Sequence, residues 1–209
     1  MKSTLIALTA VILFLLNGPA FGASKSVQHD IELNGIRHID ISHSVGNIRI
    51  ARTSGSEAAE LTGVIKGRSK GWFRGAKDVT NIDFDISKQG DTLYIVFDQK
   101  NTEANFTLTI PILEQLTINL GVGNVSAVIS DSESEINIGV GNAALTASLH
   151  AMGSIAMDTG VGNTHISGTN NQNTTRAIVT SSVHGKGEGN NSLGVNIGVG
   201  NSNLKLGTE

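Results

Sequence analysis

The sequence of 209 residues has no cysteine, two prolines, one tryptophan and one tyrosine. Without Cys there is no disulfide scaffold, thiolate zinc site, iron–sulfur cluster, cysteine nucleophile or lipid-modified cysteine. The 25 glycines are about 12% of the chain, against an average near 7%. They follow no Gly-X-Y period and proline is scarce, so collagen is excluded. Charged residues make up only 16%, too few for a disordered tail in so aliphatic a chain. There is no G-x-S-x-G, no phosphate-binding glycine loop and no H-E-x-x-H, which removes the familiar hydrolase, nucleotide-binding and zincin signatures.

Residues 1–22 read as a secretory signal. Lys2 supplies the positive start, and Leu5 to Leu16 form an apolar run of about a dozen residues, short for a bilayer span. Asn17, Gly18 and Pro19 break the run, and Ala20-Phe21-Gly22 places small residues where a signal peptidase cuts, before Ala23. An uncleaved anchor is the alternative. Removing the segment takes away one base and no acid, leaving 14 basic against 18 acidic residues and a net charge of −4. No nucleic-acid footprint follows from that balance. No later apolar run reaches 18 residues, so an exported chain, periplasmic or at the cell surface and soluble once cut, is expected.

What the chain does have is a repeat. Gly-Val-Gly-Asn occurs at 121–124, 139–142, 160–163 and 198–201, with Ser-Val-Gly-Asn at 44–47. The full copies are 18, 21 and 38 residues apart, and the last spacing suggests one degenerate unit between, around Ser182-Val183-His184-Gly185. Before each motif, positions −1 and −3 are mostly apolar (Ile118 and Leu120, Ile136 and Ile138, Met157 and Thr159, Val195 and Ile197). Position −2 is polar: Asn119, Asn137, Asp158 and Asn196. After it, Ala127, Leu145, Ile166 and Leu204 alternate with Ser126, Ala144, His165 and Asn203. This is the period-two pattern of half-buried strands on both sides of a glycine turn.

A strand–turn–strand unit of about 20 residues is the period of a β-solenoid, each unit one rung on the next. An antiparallel sandwich or barrel of hairpins is the alternative. In the solenoid reading, Gly121, Gly123, Gly139, Gly141, Gly160, Gly162, Gly198 and Gly200 let backbones approach at a corner. Val122, Val140, Val161 and Val199 are expected to stack inward. Asn124, Asn142, Asn163 and Asn201 can hydrogen-bond along the stack. The first half is β as well, but less regular. Gln28–Leu33 and Ile36–Ile41 alternate, Ile82–Ile86 and Leu93–Phe97 form a hairpin about Lys88–Asp91, and Phe106–Pro111 is a further strand. No helical period and no linker interrupt residues 23–209, so one all-β domain is expected, irregular over 23–112 and regular over 113–206.

The runs Ile36-Arg37-His38-Ile39-Asp40-Ile41 with Ser44–Ile50, Asp91–Ile95, Leu108–Pro111 and Leu116–Asn119 resemble an adhesin-like β-strand-repeat family of bacterial envelope proteins, whose function is unassigned. The resemblance spans most of residues 28–206. It implies a β-solenoid-like fold outside the cytoplasm and supplies no catalytic residues. The chain departs from the pattern at His184–Gly189, where glycine replaces the apolar positions.

The leading binding candidate is the stretch Lys66–Lys77. It holds Lys66, Arg68, Lys70, Arg74 and Lys77, no acid, and the aromatic pair Trp72 and Phe73. Such a loop suits anionic lipid, lipopolysaccharide or acidic glycan, the cations taking phosphate or carboxylate and the rings inserting or stacking. A solvated insertion is the plain alternative. The corners offer neutral Asn where calcium β-rolls need carboxylates, and Asp131, Glu133 and Glu135 read as a solvated acidic turn. The six histidines are dispersed, so neither a metal nor any other cofactor is expected; His43 takes an inward position. Asp83 and Asp85 share a strand face, the carboxylate pair that a glycosidase would need. The C-terminal strand, ending near Leu206, is expected to close the stack with an open edge that Lys205 guards, inviting weak self-association. The reading is an exported, non-enzymatic interaction module of the envelope. A solenoid carbohydrate-active enzyme (lyase or glycosidase) and a purely structural or stress-related envelope protein are the alternatives.

Overall fold

A computed structural model describes residues 23–54, 57–69, 75–129 and 132–207. The leader 1–22, and Lys70, Trp72, Phe73 and Arg74 of the basic stretch, lie outside the described residues. Among the described residues thirteen strands join in one mixed, largely parallel sheet, as the all-β expectation has it.

The repeat dictates four long strands: β8 (Gln115–Ile129), β9 (Glu133–Ser148), β10 (Met152–Ser167) and β13 (Asn191–Gly207). Each buries alternate residues on both sides of its glycine motif, Ile118 and Leu120 then Val125 and Ala127 in β8. Leu120 and Val125 both point inward although an odd number of steps separates them, which a flat strand forbids. The second glycine supplies the extra step. Gly123 sits at φ +148 and Gly141 at φ +151, and the strand bends there so that both arms face one core.

The four strands stack in parallel with their motifs in register: Gly123 opposite Gly141, Gly141 opposite Gly200, and Gly200 opposite Gly162. At the second glycine the neighbours come so close that a side chain cannot fit. A Cβ on Gly141 would lie 1.6 Å from the Gly123 carbonyl oxygen, and one on Gly123 would lie 1.7 Å from that of Gly46. The Ser-Val-Gly-Asn variant is a fifth corner. It joins β2 (His38–Val45), which pairs with the first arm of β8, to β3 (Ile48–Arg52), which pairs with the second. Serine is tolerated at position 44 because β6 (Thr92–Phe97), the next strand beyond β2, ends before reaching the corner. Ser44 Oγ instead donates to Asp98 Oδ1 at 2.6 Å.

Antiparallel strands extend both rows of arms. The first row begins with β5 (Asp85–Gln89) and β6, the expected hairpin with its first strand starting at Asp85 instead of Ile82, turning at Gly90. The second begins with β1 (Ser24–Glu32), β4 (Ala58–Gly67) and β7 (Thr102–Ile110), which lead into β3. At the far end, β11 (Gln172–Arg176) and β12 (Ser181–Lys186) form a hairpin whose second strand runs antiparallel to β10.

Three expectations change here. The segment at 182–185 is no degenerate rung, because it lies antiparallel to β10. Its glycines have another reason. Gly187 and Gly189 pass the turn at Leu149–Met152 so tightly that their Cβ atoms would meet the Met152 and Ala151 carbonyl oxygens at 2.1 and 2.2 Å. The stack also departs from chain order. β13 lies between β9 and β10, so the C-terminal strand is paired on both sides and has no open edge for a second copy or for Lys205 to guard. The motif valines point outward, 46–49% exposed at Val122, Val140, Val161 and Val199. The bend turns two successive residues of each corner to solvent, and the neighbouring inward positions already fill the interior.

The core runs from Val27 to Leu206 and is mostly Ile, Leu, Val and Ala. Burying each large aliphatic contributes about 1.5–3 kcal/mol. Among the described residues an aromatic patch interrupts it: Phe97 and Phe106 pack on the His43 ring with centroids 5.6 and 5.4 Å away, and Phe84 packs on both phenylalanines at 5.0 and 5.1 Å.

Gly141→Ala is expected to destabilise by about 3 kcal/mol or more, since strained φ and overpacking each contribute about 1–3. Gly194→Ala, in the same stack with nothing within 4 Å of its Cβ, is expected to leave the denaturation midpoint nearly unchanged.

Candidate functional site

The outward side chains at the corners form an ordered surface. Six asparagines hydrogen-bond in a single line: Asn105, Asn47, Asn124, Asn142, Asn201 and Asn163, five of them on strands and Asn47 at the corner between β2 and β3. Each of the last five directs both its Nδ2–H and its backbone N–H to the preceding Oδ1, as Asn124 does to Asn47 at 2.8 and 3.1 Å. All the amide dipoles point the same way. The N–H end terminates on a carboxylate, Asn105 Nδ2 donating to Glu103 Oε1 at 3.1 Å. The carbonyl end terminates on a cation, the Arg176 guanidinium donating to Asn163 Oδ1. The corner asparagines were legible in the motif. Asn105 carries no motif and enters only through the pairing of β3 with β7.

A shorter amide line, Asn119–Asn137–Asn196, runs parallel to it at the −2 positions. Between this line and the exposed valines lies a trough of about 870 Å³ with Gly121, Gly139, Gly198 and Gly160 in its lining and Asp98 and Asp158 toward its ends. A second groove, of about 840 Å³, lies on the other row of arms, across β1, β4, β7, β3 and β8. Gln28, Thr62, Thr107, Arg49 and Ser126 cross it in register.

Of the sequence-predicted binding residues, Lys66, Arg68 and Lys77 come together at one stem. Lys66 and Arg68 are exposed at the end of β4, and Ser69 bridges to Ala76. The Arg68 N–H donates to the Asn101 carbonyl at 2.8 Å, and Lys77 Nζ donates to the Lys100 carbonyl at 2.8 Å. The stem thus stands beside the β6–β7 turn.

Asp83 and Asp85 do not share a strand: Asp85 is the exposed first residue of β5 and Asp83 precedes it outside any strand. Asp83 turns toward β1, where His29 Nε2 lies 2.8 Å from Oδ1 and Lys25 Nζ lies 3.4 Å from Oδ2. Partial burial pushes this carboxyl up. The His29 hydrogen bond, the Phe84 amide and the charges of His29 and Lys25 outweigh that and hold it below the ordinary 3.8. A carboxyl so committed suits holding the 79–84 segment on β1 rather than proton transfer. His150 likewise meets Glu188 at 2.6 Å. Both pairings join residues far apart in sequence, which is why spacing alone missed them. Among the described residues no three His, Cys, Asp or Glu side chains gather as metal ligands.

His43 is buried at 4% exposure, and its Nε2–H donates to the Ala104 carbonyl at 2.9 Å. Desolvation holds its pKa below the ordinary 6.5, outweighing that hydrogen bond. The unfolded chain therefore takes up a proton that the folded one refuses, and stability present at neutral pH is lost as pH falls below about 6.5.

No family model and no curated protein matches the chain. Solved bacterial structures do resemble it at low identity and high coverage. One is described as a "putative cell adhesion protein" from Clostridium sporogenes, 15% identical, covering 88% of this chain and 100% of its own, with a TM-score of 0.49. Another is described as a "putative adhesin" from Bacteroides fragilis, 15% identical, covering 87% of this chain and 97% of its own, with a TM-score of 0.32.

Asn142→Ala interrupts the long ladder at mid-length and should cost about 1–2 kcal/mol, more than Asn163→Ala at its end. In a separate test, the melting temperature should fall between pH 7 and pH 5. His43→Leu, the residue type of Leu120 at the equivalent position, should flatten that decline.

Proposed function

We infer that the chain is exported by way of residues 1–22 and works as a non-enzymatic interaction module of the bacterial envelope. In this reading the stacked units are rungs of a flattened β-solenoid, broken by the insertion of β13 and flanked by antiparallel strands. Its partners are anionic envelope components: lipid headgroups, lipopolysaccharide or acidic glycan.

The observation that carries the reading is the outer surface of the corners. Two open grooves, each lined by side chains from several stacked strands, hold amides, hydroxyls and glycine backbone in a regular array. All of those strands but β1, which pairs with β4 alone, are paired on both sides and fix that array, so a ligand meets a surface that needs little ordering. The basic stem of Lys66, Arg68 and Lys77 adds positive charge to a protein of negative net charge, which suits attraction to an anionic surface. The catalytic alternative finds no support at Asp83, whose two oxygens are already engaged.

The mature chain is expected to sediment with lipopolysaccharide, anionic vesicles or an acidic polysaccharide, and to release no soluble fragments from the last. Lys70→Ser with Trp72→Ala should weaken the vesicle and lipopolysaccharide arms. Sedimentation with none of the three would overturn the reading, and so would cleavage of the polysaccharide.

A further inference from the structure

We propose that the groove across β1, β4, β7, β3 and β8 is a saccharide site, and that Arg49 binds a carboxylate carried by the sugar. This rests on the interaction-module reading and gives it a place and a ligand class.

Arg49 is the only charged residue among the fourteen described residues that line the groove. It is exposed and forms no ion pair with any described residue. Its backbone is fixed, because β3 pairs with β7 on one side and β8 on the other, Arg49 lying opposite both Thr107 and Ser126. The rest of the row is neutral and polar. Thr62 lies beyond Thr107 and Gln28 beyond Thr62. Adjacent strands are about 4.8 Å apart, so five side chains from Gln28 to Ser126 span about 19 Å. Along one margin run Asn105, Asn47 and Asn124. The ladder consumes one Nδ2–H of each, and an amide nitrogen carries two.

A planar guanidinium without a partner matches a carboxylate through two parallel hydrogen bonds. Threonine and serine hydroxyls and spare amide N–H groups match sugar hydroxyls. The two sets are interleaved on one rigid row, which is the pattern of a carboxylated sugar within a longer chain. An anionic bilayer asks for something else, several cations together with apolar side chains that can insert. Here there is a single cation, while of the apolar lining residues Val27, Ile48 and Phe106 are buried in the core and only Val64 is half-buried at the surface. Among the described residues no acidic side chain lines the groove itself; Glu60 and Glu103 stand at its margin, where Gln28 Nε2 and Asn105 Nδ2 respectively donate to them, each at 3.1 Å.

The test is calorimetric titration of the mature chain with oligogalacturonate, with its methyl ester, with a neutral maltooligosaccharide and with inorganic phosphate. Oligogalacturonate is expected to bind, and the other three to bind at least about tenfold more weakly, as loss of a charge-assisted bidentate pair implies. Arg49→Ala should lose about tenfold or more at an unchanged melting temperature, because this side chain is exposed and pairs with no described residue. Arg49→Lys should recover part of that, and Thr107→Val should weaken binding without altering its salt dependence. Equal affinity of Arg49→Ala, or equal affinity for the methyl ester, overturns the site. If oligogalacturonate fails while lipopolysaccharide or anionic vesicles still sediment the protein, this site falls and the module reading stands. If nothing binds, both fall.

Discussion

The fold depends on how closely the backbone approaches itself at the corner. The second glycine of each motif packs its Cα against the carbonyl oxygen of its neighbour, leaving no room for a Cβ. It also takes a positive φ that disfavours side chains. Everything else at the corner is built on that approach. It brings the following asparagines within hydrogen-bond reach, and with each amide aligned to the last the bonds polarise one another. An aligned row of dipoles is stabilised by a negative charge at its N–H end and a positive charge at its carbonyl end, as a helix is by charges of those signs. Glu103 and Arg176 stand at those ends.

The corner also explains the division between inside and outside. The extra step at the glycine keeps both arms turned to one core, so the apolar residues of the arms are mostly committed inward, Val128 of β8 being an exposed exception. The outward positions are left largely to polar residues, with Asn, Ser, Thr and Gly joined by scattered charges such as Arg49, Glu60, Glu135 and Lys205, and to the valines that the bend turns to solvent. Function on such a scaffold falls to the outer rows. What distinguishes one patch from another there is a departure from monotony: the lone guanidinium of Arg49, the aspartates toward the ends of the trough, and the basic stem beyond β4.

Placing β13 between β9 and β10 has a price in topology. The chain leaves a strand-wide space when it passes from β9 to β10, and its last strand fills it. Such long-range pairing slows folding relative to a simple sequential coil. The tight passage of Gly187 and Gly189 past the Leu149–Met152 turn is the local mark of that crossing. The arrangement also settles the edges. The motif-bearing C-terminal strand is interior, and the polar β11 ends the first row in its place, an edge poor in the apolar surface that drives aggregation.

Much of this was legible in the residues. Alternation around Gly-Val-Gly-Asn gives the strands and their buried positions, the glycines mark the corners, and the asparagines mark the ladder, because side-chain period and turn chemistry are local properties. Strand order was not legible, since equivalent motifs pair equally well with any copy and nothing in the sequence says which will be neighbours. The direction of the valines depended on how sharply the corner bends. The His29–Asp83 and His150–Glu188 pairs, the ends of the asparagine line at Glu103 and Arg176, and the neutral row around Arg49 join residues remote in sequence. The sequence by itself determined what each strand buries and where each must turn. The tertiary structure decided which turns meet, because that choice rests on packing among near-identical units and not on any one of them.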